Sequence, residues 1–121
     1  MNYWVNSRIE RAAIGAARRY FSSRGWSVKS REKENRGFDL ECQQGTRRLH
    51  VEVKGIRGNA LCFILTAGEQ RCSLSDPRFR VALVVDAMTK PWVRLFTTKK
   101  LVRGFEMKPL AYKVTPVRSK R

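Results

Sequence analysis

Residues 37–55 read GFDLECQQGTRRLHVEVKG. Two strand-like runs, residues 38–42 and 49–54, flank the polar turn Gln43-Gln44-Gly45-Thr46, which together form a β-hairpin signature. Successive side chains along a strand point to opposite faces. His50, Glu52 and Lys54 therefore share one face of the second strand, and Leu49, Val51 and Val53 share the other. A hairpin brings Asp39 of the first strand beside Glu52, so that two carboxylates and one ammonium cluster on a sheet surface. Carboxylates at close range repel each other unless a cation sits between them. A divalent metal with oxygen ligands is the usual solution.

Working outward, the pattern N-terminal to the hairpin is helical. Ile9, Ala12, Ala13, Ala16, Ala17, Tyr20 and Phe21 recur at the three-four spacing of one buried stripe, with Gly25 as a natural stop. So many alanines predict a close approach of this helix to a sheet. Tyr3 and Trp4 are expected to tether the N-terminus to the core. Residues 26–29 read as a short first strand, and residues 30–36, SREKENR, as a charged loop ahead of Asp39. Beyond the hairpin, residues 61–65 form an apolar run too short to separate strand from buried turn. Thr66-Ala67-Gly68-Glu69 matches a capping box and opens a short helix to about Leu74. Residues 79–86, FRVALVVD, read as a buried central strand, and residues 92–97, WVRLFT, as an outer one. The order is helix, three strands, helix, two strands, which predicts an α/β fold with a mixed central sheet flanked by helices.

The composition narrows the function. The chain has 121 residues, a one-domain length, and a formal net charge of +16. A charge this large predicts a polyanionic partner: nucleic acid first, then an acidic membrane surface or ribosomal RNA. No apolar run approaches the roughly 18 residues of a membrane span, and residues 9–21 are interrupted by arginines rather than forming a leader. A cytoplasmic protein without a membrane partner is expected. Cys42, Cys62 and Cys72 are too scattered for a disulfide framework or a zinc site, and are expected as free, space-filling thiols. His50 is the sole histidine, so no Ser/His/Asp or Cys/His arrangement competes with the carboxylates. A lone histidine at the start of a strand is usually solvated, although His50 shares the face of Glu52 and would be placed to touch substrate.

The hairpin resembles the PD-(D/E)XK nuclease superfamily, whose motif is an acidic residue on one strand and (D/E)-x-K on the next. Here those are Asp39 and Glu52-Val53-Lys54. It is more closely similar to the nuclease-like domain at the C-terminus of NO VEIN-type proteins. The matching stretches are Gly37-Phe38-Asp39, Glu52-Val53-Lys54-Gly55 and Leu65-Thr66-Ala67-Gly68-Glu69, and the likeness runs from about Ile9 to about Phe96. Phe38 stands where the superfamily commonly has proline. The resemblance implies a restriction-endonuclease-like core, in the order αβββαβ, over residues 1–97, with a basic C-terminal extension over residues 98–121. It implies a nuclease that hydrolyses phosphodiester bonds with Mg²⁺ or Mn²⁺, most simply a DNA endonuclease or resolvase-like enzyme. Asp39 and Glu52 would hold the metal with the backbone carbonyl of Val53, while Lys54 would orient or deprotonate the attacking water. Proximity to a metal should lower the pKa of Lys54.

The resemblance adds three further candidates. An acidic residue on the first helix of the superfamily often reaches the metal, which would make Glu10 catalytic; Ser7-Arg8-Ile9-Glu10 equally fits a capping box. Glu69 or its neighbour Gln70 would lie near the active site, against a pure capping role for Glu69. Arg36, Arg57, Lys99, Lys100 and Arg103 are the expected nucleic-acid contacts. The alternative is a nucleic-acid-binding module that keeps this fold without cleaving, or a subunit of a larger nucleoprotein complex. A homodimer is also open, since many two-strand cutters are dimers.

Overall fold

The computed structural model describes residues 6–34 and 36–118. Tyr3 and Trp4, the expected tether, lie outside them. The first helix, α1 (Ser7–Ser22), starts at Asn6, whose side chain accepts from the amides of Arg8 and Ile9 at 3.0 and 3.3 Å. This corrects the expected cap. Asparagine in extended backbone takes the position, and no reciprocal bond from Glu10 forms a capping box around Ser7. The predicted stripe is buried at Ala13, Ala16, Ala17 and Phe21. Gly25, at φ 85°, turns the chain into the sheet.

Five strands, β1 (Ser27–Ser30), β2 (Leu40–Gln44), β3 (Arg47–Gly55), β4 (Phe79–Val85) and β5 (Trp92–Thr97), lie side by side in chain order. All neighbours are antiparallel except β3 and β4, which are parallel. A parallel pair needs a crossover, and α2 (Ala67–Ser75) lies within it. A third helix, α3 (Thr98–Gly104), follows β5. The result is a mixed α/β fold with the expected succession of helix, three strands, helix and two strands.

The hairpin differs in detail from its sequence reading. Its turn is only Gly45-Thr46, with Gly45 at φ 61°, so Gln43 and Gln44 pair with Arg48 and Arg47. A two-residue turn with positive φ matches the twist of the flanking strands. At the other end β2 begins at Leu40, leaving Phe38 and Asp39 in a bend. Residues 61–65 form no strand. Leu61, Phe63 and Leu65 instead pack over the sheet without pairing to it.

One face of the sheet presents Leu40, Cys42, Leu49, Val51, Val53, Ala82 and Val84 to α1. Gly55 lets the two surfaces meet: a Cβ there would stand 2.7 Å from Ala13 Cβ and 3.0 Å from Ile9 Cγ2. On the opposite face Phe79, Val81, Leu83, Val85 and Phe96 are covered by residues 61–65, Cys72 of α2, Leu101 of α3 and Phe105. The stretch expected as a basic extension from residue 98 thus opens with a helix whose Leu101 is buried in the core. Cys42 is buried as expected, but Cys62 is exposed and fills no space; all three thiols are free. Among the described residues, no helix is long and apolar enough to cross a membrane.

Candidate active site

The second face of the sheet is apolar on β4 and β5 and polar on β2 and β3. The register that pairs Leu40 with Val51 sets Asp39 opposite Glu52. Three local features fix Asp39 there. Gly37, at φ 85°, passes so close to α2 that a Cβ would lie 3.2 Å from Cys72 Cβ. Phe38 is buried and stacks on the His50 ring, with centroids 4.3 Å apart and planes 6° from parallel. The Asp39 amide donates to Val51 O at 2.9 Å, and Asp39 Oδ2 accepts from the Val53 amide at 2.8 Å. The Gly-Phe-Asp turn therefore places a carboxylate where β2 would otherwise supply the next ladder bond. In an antiparallel ladder the N–H and C=O of one residue face the same neighbour, so the Val53 carbonyl is directed to the Asp39 side as well.

Lys54 lies between two acids. Its ammonium is 3.2 Å from Glu52 Oε2 and donates to Glu69 Oε1 at 2.8 Å. Glu69 also closes the capping box of α2: Thr66 Oγ1 accepts from the Glu69 amide at 3.1 Å, and Glu69 Oε1 accepts from the Thr66 amide at 2.9 Å. Glu69 thus caps α2 and contacts Lys54 through the same oxygen. The helix N-terminus holds it, and Lys54 reaches it.

Burial dominates the titration of the cluster, and Glu52 is only 5% exposed. Desolvation first, then repulsion from Asp39, pushes its carboxyl up to about 9. The Asp39 carboxyl is also raised, by burial against the opposing pull of the Val53 amide and Lys54. For Glu69 burial is outweighed by the bonds from Lys54 and Thr66, which hold it below the usual carboxylate value. Burial likewise works against the Lys54 ammonium, but Glu52 and Glu69 more than offset it and raise its pKa. With the side chains alone, Lys54 is held charged by its two acids. The expected lowering presupposed a metal beside this ammonium, and without one its pKa moves the other way.

The other site candidates fall elsewhere. Glu10 is exposed in the first turn of α1 and, among the described residues, makes no hydrogen bond or ion pair with the cluster. Gln70 donates to Met107 Sδ at 3.7 Å and lines a cavity of about 610 Å³ between residues 61–67 and 105–111. His50 is not solvated. Its Nδ1 pairs with Asp76, its Nε2 is 3.7 Å from Glu41, and Arg31 joins Glu41 to Glu34 at 3.1 Å on each side. This network escaped the sequence reading because Asp76 comes from beyond α2, 26 residues away in the chain. The signal that could have found part of it is strand alternation, since cross-strand partners such as Glu41 and His50 share a face. Arg36 pairs with Glu34 at 3.3 Å, while Arg57, Lys99, Lys100 and Arg103 are exposed without a carboxylate partner among the described residues. No group of three or more His, Cys, Asp or Glu residues able to hold a metal occurs among the described residues, so a metal here would rely on two carboxylates and backbone or water oxygens.

The fold and this face define a mixed α/β domain with a carboxylate–lysine cluster set on β3 and the bend before β2 and closed by a helix cap. A family model described as Protein NO VEIN, C-terminal, matches residues 9–97. The chain belongs to that family of NO VEIN C-terminal domains. Comparison with curated proteins and with solved structures finds no match.

Proposed function

We propose that the protein is a metal-dependent nuclease of the PD-(D/E)XK type, with a restriction-endonuclease-like core, acting on DNA. The observation that carries this reading is the opposition of Asp39, in the bend just before β2, and Glu52 on β3, with Lys54 one step further along the same face. Membership of the NO VEIN C-terminal family and the net charge of +16 support it independently.

The donor set fits a hard divalent cation. Asp39, Glu52 and Glu69 outnumber the Lys54 ammonium, so the cluster carries excess negative charge in a partly dry setting. Raising Glu52 to about 9 is how the site tolerates that excess without a metal. Two carboxylates and the Val53 carbonyl are oxygen ligands of the sort Mg²⁺ or Mn²⁺ accepts while keeping several waters. Such an ion would polarise the phosphoryl oxygens and lower the pKa of a bound water. Lys54 would hold the nucleophilic water or offset charge developing on the phosphate. Glu69 fixes the Lys54 ammonium at 2.8 Å and is itself fixed by Thr66. The exposed Arg57, Lys99, Lys100 and Arg103 would meet phosphates, which position the substrate without reading its sequence.

Incubation with duplex, branched and single-stranded DNA and with RNA, in Mg²⁺, Mn²⁺ or EDTA, tests the proposal. Cleavage is expected with either metal and not in EDTA. Lys54→Ala should abolish cleavage and weaken binding only slightly, because one lysine among 26 basic residues contributes little to affinity. Binding by the parent protein with no cleavage under any metal would instead make it a nucleic-acid-binding module.

A further inference from the structure

Charge is divided between the two sides of the sheet. Of the ten acids in the chain, Asp39, Glu41, Glu52, Glu69 and Asp76 gather on the side of the carboxylate cluster, and Arg31 ties Glu34 to Glu41. Helix α1 covers the other side, where Glu10 is its sole acid against Arg8, Arg11, Arg18 and Arg19. These four arginines fall within about 100° of the helix circumference, opposite the buried Ala13, Ala16, Ala17 and Phe21. Arg8, Arg11 and Arg19 are exposed and Arg18 is half-buried. None of them pairs with a carboxylate among the described residues. The helix contains no lysine, and the guanidinium fork is the cationic group whose geometry matches phosphate best.

The stripe also has a spacing. Arg8 with Arg11 and Arg18 with Arg19 form two pairs, and Arg11 lies two helical turns, about 10.5 Å, from Arg18. The major groove of B-DNA is about 12 Å wide, so a helix laid across it sets one pair on each bordering phosphate strand. Gly15 stands between the pairs on the same arc. A Cβ there would meet only Arg19 Nη1, at 3.3 Å. Packing on the sheet therefore does not call for glycine, which weakens a helix interior. What glycine permits is the Arg19 guanidinium lying back along the helix surface. The stripe has no apolar anchor. No large hydrophobic residue of α1 is exposed, and its apolar face is buried against the sheet. A helix lying on a membrane needs that face free, and the core of a protein–protein interface is apolar and aromatic. Phosphates require neither.

We propose that the outer face of α1 is a docking surface for the backbone of duplex DNA, with the helix laid across the major groove. It takes its partner class from the nucleic-acid reading above but does not depend on cleavage. The sheet and α1, a layer about 10–12 Å thick with its side chains, separate this face from Asp39, Glu52 and Lys54. A straight duplex held on α1 does not touch the cluster. DNA at the cluster is then a separate segment or arm.

The test measures fluorescence anisotropy of a labelled DNA duplex over a range of salt, in EDTA so that cleavage plays no part. Arg11→Gln/Arg19→Gln takes one arginine from each pair and keeps a good helix former at both positions. It should weaken duplex binding and make the slope of log affinity against log salt shallower by about 1.8 units, at about 0.9 per phosphate. Lys29→Gln/Lys33→Gln removes the same charge from two exposed lysines outside α1 and should leave the slope within about half a unit. Gly15→Gln changes no charge and should also weaken binding, by displacing Arg19. Circular dichroism confirms the helix in each variant. Equal losses in the arginine and lysine pairs would reduce the surface to diffuse attraction and overturn the proposal, as would parental affinity in Gly15→Gln. So would binding to phosphatidylserine vesicles that falls with Arg11 and Arg19 while duplex binding does not, since α1 would then face a membrane. Because no metal is present, a loss confined to the arginine pair and Gly15 stands even for a protein that never cleaves. Cleavage by a protein whose duplex binding ignores the arginine pair overturns the docking surface and leaves the nuclease reading intact.

Discussion

The Glu52 carboxyl holds a proton in the fold up to about pH 9, whereas in the unfolded chain it releases it near 4.5. The folded state therefore binds more protons over that window, and stability falls as pH rises through it. Glu52→Gln keeps the shape and removes the ionisation. In metal-free protein the variant should be more stable than the parent at pH 8, with a gap that widens from about pH 5 and stops widening near 9. Urea denaturation across that range checks it; a gap independent of pH would mean that Glu52 ionises freely in the fold. At this scale the sequence was informative where the pattern is local. Alternation along β3 placed Glu52 with Lys54, and the hairpin placed Asp39 opposite. The bond from Lys54 to Glu69 spans 15 residues, and only the crossover through α2 creates it. The capping box of Glu69 was legible from Thr66-Ala67-Gly68-Glu69, but no spacing rule announces that the capping oxygen also accepts from Lys54.

Among the elements, the contact of α1 with β3 depends on the absence of a side chain at Gly55. Gly55→Ala would drive a methyl to within 2.7 Å of Ala13 Cβ, with the Ile9 carbonyl 3.2 Å away. The helix must shift, and overpacking of this kind costs about 1–3 kcal/mol. The expected result is a lower urea midpoint with an unchanged m-value. A midpoint equal to the parent would show that α1 rides further from the sheet than described. The alanine-rich stripe made this close approach legible in advance. Strand β5 was legible at both ends, since Pro91 precedes it and apolar residues alternate along it. Residues 61–65 were not. Leu61, Phe63 and Leu65 alternate like a strand, but they cover β4 and β5 without pairing, which periodicity alone does not distinguish. The cap of α1 was misread by one residue because Ser7 and Asn6 are both good N-caps, and the backbone turn decides between them.

At the scale of the whole molecule, charge is the dominant property, and its distribution was partly visible in the chain. Eight lysines and arginines follow residue 97 against one acid, Glu106. The start of that stretch is core, through α3 and Leu101, and the exposed part comes later, with Val117 95% exposed. Deleting residues 116–121 removes Arg118, Lys120 and Arg121 and no buried side chain among the described residues. Counterion release gives a slope of about −0.9 in log affinity against log salt per phosphate neutralised, so the deletion should make the slope shallower by up to about 3 units. The position of cleavage should not move, because phosphate contacts orient the protein while the carboxylate cluster selects the bond. Anisotropy from low to moderate salt measures the slope. An unchanged slope would place these residues off the nucleic acid.

Titration of the protein with Mn²⁺ by calorimetry most directly tests whether the cluster of Asp39, Glu52 and Lys54 is a metal site. The parent should bind the ion, and Asp39→Asn and Glu52→Gln should each lose that binding while keeping the fold. Mn²⁺ binding that survives unchanged in both variants would place the metal elsewhere and contradict the assignment of Asp39 and Glu52.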